Sequence, residues 1–229
     1  NVIHEAWRAG VKRLLFLDSS CIYPRDCPQP IKEEYLLSGP LEPTNRAYAL
    51  AKIAGVEMCW SYNRQYGARF LAVMPTNLYG QGDRYDLRDA HVLPALIRKI
   101  HEAKQAGARQ VTLWGSGRPR REFLLSDDMA EACVFLMRLP DAEFGKLVAP
   151  AQAPVINIGA GADQSIAELA ALIAEVLGYR GEFVYDASKP DGTPRKLLDS
   201  ARIMALGWKP KAGLREGIAV AYRDFLSDR

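Results

Sequence analysis

Short apolar runs alternate with longer stretches in which apolar residues recur every three or four positions. The short runs are Val11–Leu17 (VKRLLFL), Arg69–Met74 (RFLAVM), Val111–Trp114, Val155–Ile158 and Glu182–Tyr185. Their length fits buried strands. The periodic stretches predict helices near 1–9, 46–66, 92–106, 126–139, 166–177, 201–206 and 214–226, with Ile53, Val56 and Trp60 as the buried stripe of the second. Gly10 and Gly67 stand where helices should stop, Thr44 and Asn45 where one should start, and Ser165 where another should start. Tyr23–Pro30, with three prolines, reads as a surface loop. Gly80–Asp89 reads as a flexible connection, Gly115–Arg121 as a basic glycine loop, Pro140–Pro154 as an unpatterned connection and Lys189–Pro194 as a turn-rich loop.

Helix, strand, loop, long helix, strand is the alternation of a parallel α/β sheet. Composition leaves that reading in place. Hydrophobic residues make up 48% and charged residues 25% of 229, an ordinary globular balance. Thirty basic against 27 acidic residues give a net charge of +3, too even to argue for nucleic acid. No apolar run approaches the roughly 18–20 residues of a membrane span. The four cysteines form no C-x-x-C pair and no zinc spacing, so a reducing, cytoplasmic setting without a metal is expected.

The sharpest chemical signal is Tyr48-Ala49-Leu50-Ala51-Lys52. A separation of four puts both side chains on one helical face, where an ammonium favours the phenolate. The spacing is weak by itself, because a half-buried tyrosine beside a solvated lysine satisfies it equally. Its surroundings add weight. Ser19, Ser20 and Cys21 follow one apolar strand, and the polar loop from Pro75 to Gly80 follows the next. In open parallel sheets ligands bind outside the carboxyl ends of strands. The plain alternatives are a turn serine at 19 and a loop asparagine at 77.

This combination resembles the extended short-chain dehydrogenase/reductase family. SSCIYP at 19–24, EPTNRAYALAKIAG at 42–55, SYNRQYG at 61–67, MPTNLYG at 74–80, WGSG at 114–117, REFL at 121–124 and DASKPDGTPRKLLD at 186–199 look like its GDP-4-keto-6-deoxy-D-mannose 3,5-epimerase-4-reductases. The likeness runs the length of the chain. It implies an NADP(H)-dependent oxidoreductase and isomerase acting on a GDP-sugar, with a homodimer built from helices flanking the Tyr48 segment.

By that resemblance Tyr48 gives the proton in ketone reduction, Lys52 tunes it and holds the nicotinamide ribose, and Ser19 holds the keto oxygen. Cys21 and His91 would be the acid–base pair that inverts C3 and C5. Pro75, Thr76, Asn77, Leu78 and His91, with Tyr48 and Lys52, would line the cofactor. Lys99, Trp114, Arg121 and Asp191 would contact the GDP-sugar, Arg121 suiting a diphosphate through its bidentate fork. Each has a plainer alternative. Cys21 would be a small buried hydrophobe, His91 a helix cap, Lys99 a solvated helix face and Trp114 core. Arg118, Arg120 and Arg121 would be a surface cluster. His4 and His101 read as surface residues.

Enzymes of this family open with a glycine-rich strand–loop–helix fingerprint. The nearest imitation here, Gly159 to Gln164, carries Gln where the last glycine belongs, and is rejected as a cofactor loop. The expected architecture is therefore a truncated Rossmann-like parallel sheet (its C-terminal part, 1–79 and 122–159) with a smaller α/β substrate domain (80–121 and 160–229). Such a chain should expose a sheet edge and bind NADPH weakly alone. The rival readings are a nucleotide-sugar 4-epimerase or 4,6-dehydratase, and a catalytically dead nucleotide-sugar-binding remnant.

Overall fold

The computed structural model describes residues 1–227. In chain order the elements are α1 (Val2–Arg8), β1 (Leu14–Leu17), α2 (Arg46–Tyr66), β2 (Phe70–Pro75), β3 (Asn77–Tyr79), α3 (Val92–Gln105), β4 (Gln110–Trp114) and β5 (Arg120–Leu125). They continue with α4 (Ser126–Arg138), α5 (Asp141–Leu147), β6 (Val155–Ile158), β7 (Asp163–Ser165), α6 (Ile166–Leu177), β8 (Glu182–Asp186), β9 (Arg195–Lys196), α7 (Ala201–Ala205) and α8 (Leu214–Ser227). The chain divides into two compact units, residues 1–76, 129–161 and 197–209 in the first and 77–128, 162–196 and 210–229 in the second. The last two positions of the expected 160–229 segment lie outside the described residues. Among the described residues no helix is long and apolar enough to cross a membrane.

The first unit holds a parallel sheet of order β1-β2-β6, with Leu14 opposite Phe70 and Val73 opposite Ile156. The central strand β2 is apolar from Phe70 to Met74 because it is wholly buried there. Helix α2 packs on this sheet through Ala49, Ile53 and Val56, and ends at Gly67 in the left-handed region at φ +63. Gly55 lets it approach closely, since a Cβ there would overlap the Phe16 ring. Cys59 is buried where Trp60 was expected, and Trp60 is half-buried with its indole N–H bonded to the Pro150 carbonyl at 2.9 Å.

The second unit has two sheets. In one, β5 pairs with β3 in parallel, with β7 antiparallel and with β9 in parallel. In the other, β4 and β8 run parallel. Helices α3, α6 and α8 pack together over a core that includes Leu93, Ile97, Leu113, Phe123, Ile173 and Ile218. Helix α6 begins with a reciprocal Ser165/Glu168 capping box.

Several expectations are corrected. Residues 120–125 form a central strand and not the end of a loop, because three partner strands satisfy their backbone. Residues 77–79 are strand β3, not loop. Residues 141–147 are a helix, with Asp141 bonded by Arg13 and Arg69 from distant elements. Tyr23 and Cys27 are buried inside the supposed surface loop, and Tyr23 donates to Asn157 Oδ1 at 2.7 Å. His101 is 5% exposed, bonded to the Tyr222 hydroxyl at 2.9 Å and set edge-on to Phe225. His4 is exposed and bonded to Tyr62.

The units also divide differently from the expected domains. Residues 197–209 join the first unit because Leu198 bridges Ile31, Asn157 bonds the Asp199 carbonyl and Arg202 bonds the Val155 carbonyl. Residues 77–79 and 122–128 join the second, where β3 pairs with β5.

Candidate active site

In the first unit the site grows from the carboxyl end of the parallel sheet. Strand β1 ends at Leu17, and Ser19 follows in extended conformation as the cap of a single 3-10 turn, Ser20–Ile22. The Ser19 hydroxyl accepts the Cys21 N–H at 3.2 Å and keeps its own proton for a further acceptor. Cys21 is half-buried on that turn, not sealed in the core as an inert thiol would be. Asp18, which the sequence reading passed over, is 5% exposed, and its Oδ1 accepts the Ser19 N–H at 2.7 Å.

Helix α2 brings Tyr48 and Lys52 to the same strand end. A 3-10 turn at Pro43–Asn45, capped by the Glu42 carboxylate, leads into it, whereas Asn45 caps α2 with no side-chain bond. Tyr48 is 46% exposed. The Lys52 ammonium lies 5.7 Å from the Tyr48 ring centroid and 5.2 Å from that of Phe16, and donates to the Leu17 carbonyl at 2.6 Å. Pro75 closes β2, and the buried Thr76 donates its N–H to the Ile158 carbonyl at 3.1 Å. Ser19, Cys21, Tyr48, Lys52, Pro75 and Thr76 thus follow β1, ride on α2, or end β2.

Asn77, Leu78, His91, Lys99, Trp114, Arg121 and Asp191 belong to the second unit. Asn77 is half-buried, with its amide donating to the Glu122 carbonyl at 2.8 Å. His91 stands exposed at the N-cap of α3, where its carbonyl accepts the Ala95 N–H at 3.0 Å and its imidazole makes no cap hydrogen bond. The same imidazole lies near Asp83, whose carboxyl is raised by burial and drawn back by the Arg84 N–H and by His91.

Trp114 is 67% exposed, which excludes the core alternative. Two ammonium groups face its ring, Lys99 at 5.8 Å and Lys189 at 5.6 Å from the centroid. Lys99 also donates to the Thr112 carbonyl at 2.6 Å, and burial holds its pKa below the usual lysine range. Asp191 is tied to Ser116 by both carboxylate oxygens, to N–H at 2.6 Å and to Oγ at 2.7 Å, which keeps its pKa low. Gly115, at φ +74, permits that contact, because a Cβ there would overlap the Asp191 carboxylate.

The arginine cluster is not a uniform surface patch. Arg120 pairs with Asp163 and Glu168, whereas Arg121 is half-buried, bonds the Arg120 carbonyl at 2.8 Å and has no carboxylate partner among the described residues. Asp163, in the rejected glycine segment, lies in β7 and is held by Arg120 and Arg195. Lys189 and Ser116 were not among the expected site residues; their signal was position, one opening the turn-rich loop and one between two glycines. Among the described residues no group of three or more His, Cys, Asp or Glu side chains could hold a metal ion.

A parallel α/β sheet with a serine after one strand and a Tyr/Lys pair on the following helix defines a short-chain dehydrogenase/reductase. More narrowly, the chain belongs to the NAD dependent epimerase/dehydratase family, whose model matches residues 1–159. It is 52% identical over its full length to GDP-L-fucose synthase of Sinorhizobium fredii, of which it spans 69%. Among solved structures, a GDP-6-OMe-4-keto-L-xylo-heptose reductase from C. jejuni matches all of this chain and 74% of its own, with TM-score 0.90 and 37% identity. A GDP-L-fucose synthetase from Naegleria fowleri bound to NADP matches all of this chain and 70% of its own, with TM-score 0.88 and 28% identity.

The residues fit a nicotinamide cofactor. The Lys52 ammonium spends one of its three donors on Leu17 and has two left for ribose hydroxyls. The exposed Tyr48 offers a phenol beside them.

Proposed function

We propose that this protein converts GDP-4-keto-6-deoxy-D-mannose to GDP-L-fucose, by 3,5-epimerisation followed by reduction of the C4 ketone. The observation that carries this reading is the Tyr48/Lys52 pair anchored at the end of β1 beside Ser19, in a chain 52% identical to a GDP-L-fucose synthase.

When bound, NADPH supplies a hydride to the C4 carbonyl. Tyr48 gives its phenolic proton to the developing C4 oxyanion, and Ser19 donates a hydrogen bond to the same oxygen, where charge stabilisation is worth most. Lys52 would hold the ribose with its two remaining donors. Pro75, Thr76, Asn77, Leu78 and His91 complete the lining of the nicotinamide. C3 and C5 both adjoin the carbonyl, so loss of either proton gives an enolate held by Ser19 and Tyr48. Cys21 and His91 are the acid–base candidates for the removal and return of those protons. In the second unit Trp114 stacks on the guanine and Arg121 forks onto the diphosphate, with Lys99 and Asp191 beside them. The first unit then serves as cofactor domain and the second as substrate domain. Four cysteines, none of them in a disulfide, support a cytoplasmic setting, and the exposed Leu50 and Tyr66 on α2 support a homodimer through that helix.

Solvent deuterium exchange tests the epimerase half. The full-length protein should incorporate deuterium at C3 and C5, and Cys21→Ser should abolish that incorporation while hydride transfer persists. Reduction with no exchange in the unmodified protein would instead mark a plain GDP-sugar 4-ketoreductase, the activity named for the heptose neighbour.

A further inference from the structure

Asp18 joins the backbone of β2 to the turn that carries Ser19. Its N–H donates to the Val73 carbonyl at 3.0 Å, which extends the ladder one residue past β1. Its Oδ1 accepts the Ser19 N–H, and its Oδ2 is buried with no hydrogen-bond partner among the described residues. A buried carboxylate oxygen without a donor costs stability. The charge that offsets part of this cost is the ammonium of Lys52, which is already fixed to the neighbouring Leu17 carbonyl.

We propose that Asp18 is a positioning residue acting through Ser19 and Lys52: its carboxylate fixes the Ser19 backbone and holds the Lys52 ammonium at the end of β1, and its protonation releases that hold. The proposal rests on the reading of Ser19 and Lys52 given above. The titratable groups within electrostatic reach of Asp18 are Lys52 and Cys59 on α2 and Tyr23 just beyond the 3-10 turn. Burial pushes the Cys59 thiol up to about 12 and the Tyr23 phenol well above its usual value, so both stay neutral near neutral pH. Burial likewise raises Asp18, against the pull of the Ser19 N–H and of Lys52, to about 6. Asp18 is therefore the group in this set whose charge changes as the medium turns mildly acidic.

Lysine side-chain NMR of the purified chain reads this without turnover, with the Lys52 resonance assigned by Lys52→Arg. The Lys52 signal should step with a midpoint near pH 6. The step should vanish in Asp18→Asn, and should return at a shifted midpoint in Asp18→Glu. A trace flat between about pH 5 and about pH 8 overturns the proposal, as does a step that survives in Asp18→Asn. In turnover assays the acid limb of the pH profile should move with the same variants. The reading of the site fails separately, if Tyr48→Phe leaves ketone reduction intact.

Discussion

The Lys52 ammonium and the Leu17 carbonyl, 2.6 Å apart, fasten the second turn of α2 to the last residue of β1. That bond fixes where the Tyr48 phenol stands relative to the strand end that carries Ser19. Tyr48→Phe should therefore lower kcat for ketone reduction by about 10²–10⁴-fold, the usual worth of a positioned general acid. Its half-exposed ring makes little difference to folding, so the melting temperature should barely move. Lys52→Met should lose as much activity and, in addition, about 1 kcal/mol of stability with the bond. NADPH oxidation and thermal melts measure both, and a Tyr48→Phe protein with near-normal kcat would take Tyr48 out of the chemistry.

The seat of α2 depends on the absence of a side chain at Gly55. Alanine there gains roughly 1 kcal/mol of helix propensity. It also drives a methyl into the Phe16 ring, and overpacking of this kind costs about 1–3 kcal/mol. Gly55→Ala should accordingly destabilise the fold and reduce turnover, because displacing α2 strains the Lys52–Leu17 bond. Combining it with Phe16→Leu should recover part of both losses. Urea denaturation of the two single variants and the double variant closes the cycle, and additive losses would show that the ring is not the obstacle.

Where local pattern sufficed, the sequence was readable. Strand β6 and helix α6 fall on the expected residues, because one is a short apolar run broken only by Asn157 and the other opens on a capping box. Tyr48 and Lys52 stood out by their spacing together with the strand ends around them, and Ser19 by its place after an apolar run. Strand β5 was hidden because Arg120, Arg121 and Glu122 look like loop; Asp163, 43 residues from Arg120, neutralises its charge across the strands. Helix α5 was hidden because Arg13, 128 residues from Asp141, bonds that first helical residue. Tyr23 and His101 looked exposed because their partners, Asn157 and Tyr222, lie 134 and 121 residues away. Cys21 and His91 carry no local signature and came only from family resemblance.

Asp18 should cost stability that returns on acidification. Its folded pKa is raised by burial from 3.8 to about 6, so the folded state binds the proton at a higher pH than the unfolded chain does. Stability then falls as pH rises from about 4 to about 6 and stays lower above that. Asp18→Asn keeps an acceptor for the Ser19 N–H and removes the penalty. Near pH 8 the variant should be more stable by roughly 1–3 kcal/mol, a gain that fades towards pH 4. Denaturant titrations at both pH values check the sign, and a gain that is constant with pH would place its origin outside Asp18 ionisation.

Trp114 separates binding from folding. Two thirds of its surface is exposed at the end of β4, with Lys99 and Lys189 over its ring, so Trp114→Ala removes little that the fold needs. Stability should change by no more than about 0.5 kcal/mol. Stacking of a base on an aromatic ring is worth about 1–3 kcal/mol, which corresponds to a roughly 5- to 150-fold weaker hold on GDP. In steady-state kinetics the loss should appear in KM for the GDP-sugar, with kcat almost unchanged, because a contact to the base binds ground state and transition state alike. Calorimetric titration with GDP alone isolates the contact. If GDP binds the Trp114→Ala protein as tightly as the parent, the guanine does not rest on this ring, and the exposed indole must serve another purpose.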